Sequence, residues 1–336
     1  MSNKTKAVVL ISGGLDSALA AKLILEQGIE VVGLNCTNIF SSRNYDDKRE
    51  SPARRIAKQL DIKLYENDIS NELIETIKDP AHGYGSSVNP CIDCRILSIK
   101  KAKELMQEIG ASFIVSGEVM GQRPMSQRSQ ALIEVEKAAG VKGILLRPLS
   151  AKLLEPTKPE RDGLIDREKL LDISGRGRRI QIDLAEKFHL SDYLAPAGGC
   201  LLTNDGYGLK IKDLIKHDEF TPENSKLLIL GRHFRLSPEL RIIVGRNEKE
   251  NIKLLDAALE KDIIFEPTEE IAGPTAIGRG DLKDKDKITK ACRIVGRYCD
   301  KGYNELSIYV KTKDLSIDEV FSCEPFQDSE IEPLRI

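Results

Sequence analysis

A chain of 336 residues has room for about two domains, each able to bury a core of its own. With 40% hydrophobic residues, 31% charged residues and 14 prolines, it falls outside the disordered and collagen-like classes. Lys plus Arg number 51 and Asp plus Glu 53, so at a net charge of −2 any nucleic-acid binding has to come from a local patch.

In chain order, Lys4 and Lys6 precede the apolar run Ala7–Ile11, which leads into a glycine loop rather than a cleavage site. That run is far short of the ~20 residues a bilayer needs, so a cytoplasmic location with no membrane partner is expected. Apolar β-type runs follow at Val31–Asn35, Ile62–Tyr65 and Phe113–Ser116, separated by amphipathic stretches at Ser17–Gln27, Pro52–Leu60 and Arg95–Ile109. In the last of these, Ile96, Ile99, Ala102, Met106 and Ile109 recur at three- and four-residue steps. Strand-helix alternation of this kind predicts an α/β fold with a doubly wound parallel sheet. The stretch Asp79–Pro90 reads as a loop delivering Cys91 and Cys94 to a helix start, where thiols are expected to be exposed and electropositive. The charged, proline-containing segment Leu149–Asp172 reads as periphery, Ile180–Phe188 as a helix, and Pro-Ala-Gly-Gly-Cys as a turn ending at Cys200.

A second, smaller α/β pattern begins near Leu227. Strands are expected at Leu227–Leu230, Leu240–Val244 and Glu305–Lys311, and helices at Glu248–Leu259 and Thr289–Tyr298. The charge-rich turn 218–226 is the expected boundary, giving domains over 1–218 and 227–336.

Ser12-Gly13-Gly14-Leu15-Asp16-Ser17 lies between the first strand and the first helix, where a parallel sheet offers a ligand a helix N-terminus. The glycines let the backbone fold into a nest of N–H donors, and Ser12 and Ser17 add hydroxyls, which suits pyrophosphate. Asp16 is out of place beside an anion unless a cation intervenes, which assigns it to Mg²⁺. The loop lacks the lysine of a Walker A motif and the three spaced glycines of a dinucleotide fingerprint. It resembles the PP-loop of N-type ATP pyrophosphatases, adenine nucleotide alpha hydrolase-like proteins that cleave ATP between the α and β phosphates and adenylate an oxygen of a second substrate.

A longer resemblance narrows the chemistry. Cys91-Ile-Asp-Cys94-Arg95, then Ser116-Gly117-Glu118-Val-Met-Gly121-Gln122-Arg-Pro-Met-Ser126-Gln127 and Arg147-Pro148-Leu149 resemble the PP-loop domain of 4-thiouridine synthetases and tRNA 2-thiouridylases over about the first 200 residues. The resemblance implies that ATP, bound with the help of Gly117 and Gln122, activates a tRNA uridine carbonyl oxygen through Asp16. A sulfur nucleophile at Cys200 then displaces AMP. It implies tRNA and a sulfur donor, sulfide or a persulfide-carrying protein, as partners. Unlike the 4-thiouridine synthetases, this chain starts at its PP-loop strand without a THUMP region and shows no rhodanese pattern. RNA contact falls instead to the segment Ile242–Asn247 with Glu250, Asn251 and Gly273-Pro274, which resembles the NFACT RNA-binding domain; an α/β dimerisation domain is the alternative.

Cys91, Cys94 and Cys200 can supply three thiolates to a 4Fe-4S cluster with one iron left open, an arrangement that thiolases resembling this chain use. A Cys91–Cys94 redox pair with Cys200 as persulfide carrier is the competing reading, and zinc with His82 or His189 as fourth ligand is a third. Cys36, Cys292, Cys299 and Cys323 have no partner at motif spacing and are expected in cores. Arg176, Arg178 and Arg179 on a glycine-rich turn form an expected phosphate-binding patch, and Arg232, His233, Arg235, Arg241 and Arg246 a looser one. With eight Phe, eight Tyr and no Trp, recognition of folded tRNA by shape is favoured over a broad stacking platform. A PP-loop enzyme acting on a small metabolite is the rival function.

Overall fold

The computed structural model describes residues 5–41, 50–194, 199–268, 271–281, 284–300 and 304–336. The chain divides into two compact units, Met1–Asn204 and Asp205–Ile336. The division lies ahead of the charge-rich turn expected to mark it, because the helix before that turn is tied by its acidic side chains to the second unit's sheet.

In the first unit the elements are β1 (Lys6–Leu10), α1 (Leu15–Leu25), β2 (Glu30–Thr37), α2 (Pro52–Gln59), β3 (Lys63–Asp68), α3 (Ser70–Lys78), α4 (Cys91–Glu108), β4 (Phe113–Val115), α5 (Ser129–Ala139), β5 (Leu145–Leu146), α6 (Lys158–Arg161) and α7 (Arg179–Lys187). The strands pair in parallel in the order β3-β2-β1-β4-β5. The period of two along β1 sorts its side chains to opposite faces. Ala7 and Val9 join α1 in one core, while Val8 and Leu10 pack with Ile99 and Ala102 of α4 in the other. The order reverses on either side of β1, so the crevice beyond the strand ends β1 and β4 is where this topology receives a ligand.

Two readings of the sequence are corrected here. The segment Leu149–Asp172 is not wholly peripheral: Leu149, Ala151, Ile165 and Leu170 are buried in the core beneath α1, while Leu153, Leu164 and its charged residues reach solvent. The helix bearing the cysteine pair begins at Cys91, a turn earlier than the apolar periodicity from Arg95 suggested.

The second unit comprises α8 (Asp205–Lys216), α9 (Pro222–Leu227), β6 (Arg232–Ser237), β7 (Leu240–Val244), α10 (Glu248–Ala257), β8 (Ile263–Pro267), β9 (Ala276–Gly280), α11 (Lys285–Gly296), β10 (Leu306–Thr312), β11 (Asp318–Cys323) and α12 (Asp328–Ile331). Its strands form an antiparallel sheet in the order β11-β10-β8-β9-β7-β6. The strand expected at Leu227–Leu230 is instead the end of α9 and the turn after it. Thr221 caps α9 by accepting from the Asn224 N–H, Pro222 opens it, and Leu227 and Leu230 pack against Ile243 and Leu254. Arg235, Arg241 and Arg279 stand opposite one another across β6, β7 and β9. Arg235 is paired with Asp213 and Glu219, Arg279 with Asp262, while buried Arg241 donates to Asn224 Oδ1 alone. Among the described residues, no helix is long and apolar enough to cross a membrane.

One ion-pair network joins the first unit's layers. Glu118, 1% exposed, accepts from Arg147 Nε at 3.0 Å and Ser116 Oγ at 3.0 Å, and pairs with Arg95 Nε at 3.1 Å. Arg147 also bonds Glu136 of α5 and, at 3.4 Å, the Leu132 carbonyl. Burial pushes the Glu118 carboxyl up, but Arg95 and Arg147 more than offset it and hold it below the ordinary value of 4.5. Glu118→Gln removes the carboxylate shared by Arg95 and buried Arg147, leaving Arg147 with Glu136 as its one carboxylate among the described residues, and is expected to cost roughly 3–5 kcal/mol at neutral pH in urea unfolding. A carboxyl lowered on folding stabilises above its unfolded pKa and loses that contribution as pH falls through the folded one. The deficit of the variant is therefore expected to shrink below pH 4.5.

Candidate functional site

The loop after β1 is held from both sides by backbone. Gly13 has φ +76°, and a Cβ there would lie 2.5 Å from Pro52 Cβ and 2.6 Å from its carbonyl carbon, so glycine is required by both conformation and space. On the other side, Leu194 N–H donates to the Gly13 carbonyl at 3.0 Å. Ser17 Oγ donates to the Gly14 carbonyl at 2.8 Å and accepts from Ser12 N–H at 3.2 Å, while Gly14 N–H reaches Ser12 Oγ at 3.4 Å. Gly14 occupies the cap position of α1 without a side-chain cap, so the first helical N–H groups face the crevice with no side chain bonded to them. Gly117, at the end of β4, closes the other wall: a Cβ there would lie 2.6 Å from the backbone of Asp16 and Ser17.

Asp16 stands at the centre. Its Oδ2 accepts from Gln122 Nε2 at 3.2 Å and lies 4.0 Å from Arg178 Nη2, whereas its buried Oδ1 has no hydrogen-bond partner among the described residues. Burial raises its pKa above 3.8, with Arg178, Gln122, Arg123 and Gln181 acting against that rise. Arg178 arrives because Gly175 N–H bonds the Met120 carbonyl at 2.8 Å and Ser174 pairs with Met120, laying the 174–178 turn along the 120–122 turn.

The arginine turn therefore splits. Arg176 and Arg179 are exposed, whereas Arg178 is half-buried with its Nη2 4.0 Å from Asp16 Oδ2. Arg123 and fully buried Gln181 also act on Asp16 and were not singled out from the sequence, whereas Arg178 was, as a phosphate contact and not as a neighbour of Asp16. The only sequence signal for Arg178 was its place on a glycine-rich turn.

The three cysteines of the motif are brought into one neighbourhood. Cys91 and Cys94 sit in the first turn of α4, and Cys200 pairs with Ser41 in a β-bridge; part of the turn before it, 195–198, lies outside the described residues. Their charges are felt mutually, with Cys200 and Cys91 each raising Cys94 and Cys91 raising Cys200. All three thiols are free and half-buried rather than exposed. Burial pushes Cys94 up to about 12 in spite of its place in the first turn of α4, and raises Cys200 against the opposing effects of a Leu202 backbone bond and Arg123. Cys36, at the end of β2, is a fourth thiol near Cys94, while Cys292, Cys299 and Cys323 are buried in the second unit's core.

No group of three or more His, Cys, Asp or Glu among the described residues is arranged to hold a metal ion. The zinc reading loses one candidate for its fourth ligand: His82 Nδ1 lies 2.7 Å from Asp93 and Nε2 3.7 Å from Glu134, so both ring nitrogens face carboxylates. In the second unit the looser basic cluster also dissolves. His233 and Arg241 are 1% exposed, Arg235 is tied to two acids and Arg246 to Glu250, which leaves Arg232 facing open space.

Residues 5–140 match the family model described as tRNA methyl transferase HUP domain, and residues 231–335 the one described as NFACT protein RNA binding domain. The tRNA-specific 2-thiouridylase MnmA of Clostridium perfringens is 31% identical over 128 residues, covering 34% of this chain and 35% of that protein. The MnmA of Pelotomaculum thermopropionicum is 33% identical over 127 residues, with 34% and 35% covered. The chain thus spans about a third of the length of the curated relatives it matches. A solved 4-thiouridine synthetase–RNA complex with bound ATP overlaps 66% of this chain and 53% of its own at 19% identity and a TM-score of 0.39. The first unit resembles the PP-loop domain of tRNA thiouridylases, and the second the RNA-binding domain of NFACT proteins.

Proposed function

We propose that this chain is an ATP-dependent tRNA sulfurtransferase. The observation that carries the reading is Asp16, whose buried Oδ1 lacks a partner at the mouth of a loop built for an anion. In the proposed reaction a uridine carbonyl oxygen attacks the α-phosphorus of ATP, the α–β bond breaks and pyrophosphate leaves. Sulfur then bonds to the activated carbon, and AMP departs carrying the former carbonyl oxygen.

The chain's own groups have separable tasks. The N–H groups of the Ser12–Ser17 loop and the start of α1 bind the departing pyrophosphate, and Arg178 and Arg123 balance its charge. Gln122 orients Asp16, and Gly117, beside the nucleotide site, lets the turn after β4 close against the backbone of Asp16 and Ser17. Mg²⁺, which fits the unpartnered Asp16 oxygen, would be held there and would neutralise phosphate charge. A 4Fe-4S cluster would take Cys91, Cys94 and Cys200 as its thiolates and supply a site for sulfur; that all three are free of disulfides and act electrostatically on one another supports the reading. Persulfide carriage on Cys200 is the second reading: the outer sulfur bonds to the activated carbon, AMP leaves, and a thiol of the Cys91–Cys94 pair then attacks the Cys200 sulfur, forming a disulfide and releasing the thiocarbonyl. Arg176 and Arg179, exposed beside the site, are proposed to contact tRNA phosphates.

Asp16→Asn is expected to abolish ATP-dependent pyrophosphate release, read with purified chain and tRNA, while the melting temperature changes little; release at the wild-type rate overturns the assignment. Cys200→Ala is expected to keep pyrophosphate release but lose thionucleoside formation, measured by mass spectrometry of digested tRNA. Iron analysis of anaerobically prepared Cys200→Ala separates the two sulfur routes: loss of bound iron supports the cluster, and retention at the wild-type level supports the persulfide.

A further inference from the structure

The second unit holds a cavity of about 630 Å³ that the reaction does not use, within the roughly 300–1,000 Å³ typical of small-ligand sites. Its walls come from the β6 start, the β7–α10 junction, the β8 end and the segment before β9. Arg232 and Tyr298 line it as a stacked pair, with the guanidinium carbon 4.6 Å from the ring centroid and Arg232 Nη1 donating to the Gly245 carbonyl at 3.2 Å. The arginine is thereby fixed as a flat cationic plane rather than a mobile charge.

The rest of the wall selects the ligand. Asn251 lines the cavity, and its buried Oδ1 has no hydrogen-bond partner among the described residues, an acceptor that costs stability unless something donates to it. Asn247 spends its own oxygen on the Glu250 N–H as the cap of α10, which leaves its amide N–H₂ to donate. Gly245 is bare by necessity, since a Cβ would come within 2.0 Å of Asn251 Oδ1. Of the charged lining residues, Arg246 is paired with Glu250 and Glu266 with Lys311, which leaves one cation, Arg232, and one anion, Glu248, to offset each other. A cavity without net charge gives a phosphate no advantage. A flat neutral heterocycle with donors and acceptors on its edge fits the stacking plane and the two amides together.

We infer that this cavity binds one unpaired ribonucleotide base, stacked on the Arg232–Tyr298 pair and read on its edge by Asn247 and Asn251. The inference rests on the proposal that the substrate is RNA. It gives the second unit a preference for a single-stranded end or an everted nucleotide, beyond general attraction to the backbone.

The test uses the full chain and fluorescein-labelled pentaribonucleotides, rA5, rC5, rG5 and rU5, by anisotropy. The parent oligonucleotide that binds best is compared with the same oligonucleotide bearing abasic ribose at successive positions. One abasic position is expected to weaken wild-type binding roughly tenfold or more, the scale of one base stacked on an aromatic side chain. Tyr298→Leu and, separately, Asn251→Ala are expected to bind the parent as weakly as wild type binds the abasic form, with the dependence on salt concentration unchanged. Asn251→Ala serves where Tyr298→Leu disturbs packing. Equal wild-type binding of parent and abasic oligonucleotides, or tighter binding of the parent once annealed to its complement as a blunt duplex, overturns the inference. Pyrophosphate release depends on the first unit, so its failure with intact base-dependent binding would overturn the sulfurtransferase proposal and leave this one standing.

Discussion

Glu118 sits one residue beyond the glycine that touches the Ser12–Ser17 loop, and its two oxygens hold arginines from different parts of the first unit. Arg95 follows the second cysteine of α4, and Arg147 follows β5. A carboxylate this deeply desolvated is stable only while both cations stay in place. The β4 turn, the cysteine-bearing helix and the strand beside them therefore share one electrostatic anchor. The nucleotide loop is positioned against that anchor by contact, since Gly117 has no side chain to hold the two apart.

Much of the first unit was legible because its signals are local. Alternating apolar runs gave the parallel sheet, and a glycine-serine loop between a strand and a helix has few other physical uses. What was not legible depended on burial. A sequence shows that Arg178 is charged but not that the 174–178 turn lies along Met120 and points it inward. Likewise Leu149–Asp172 displays its charged residues at high density, while Leu149, Ile165 and Leu170 among them are the ones that settle where it packs. The cysteine motif pointed to Cys91, Cys94 and Cys200, but the raised pKa of Cys94 and Cys200 follows from desolvation, which spacing does not encode.

The second unit misled in the same way and more severely. Leu227–Leu230 has a strand's apolar density, but Thr221 and Pro222 start a helix there, and the true first strand begins two residues later with arginine and histidine. Basic residues in this region read as a surface patch. Most are instead spent on internal ion pairs or buried, which removes them from the electrostatic surface that an RNA backbone would meet. What remains open to solvent is a neutral, amide-lined recess, a different kind of recognition surface from the one the composition implied.

The arginine row across β6, β7 and β9 sets where this unit can be cut. The family match begins at residue 231, yet Asp213 and Glu219, the counter-charges of Arg235, lie upstream in and after α8, and Asn224, which Arg241 and Arg279 share, lies in α9. A fragment starting at 231 would place three guanidinium groups side by side with only Asp262 to answer them. The smallest autonomous form of this unit thus reaches back through α8, and the two helices ahead of the sheet are its internal neutralising layer rather than a tether.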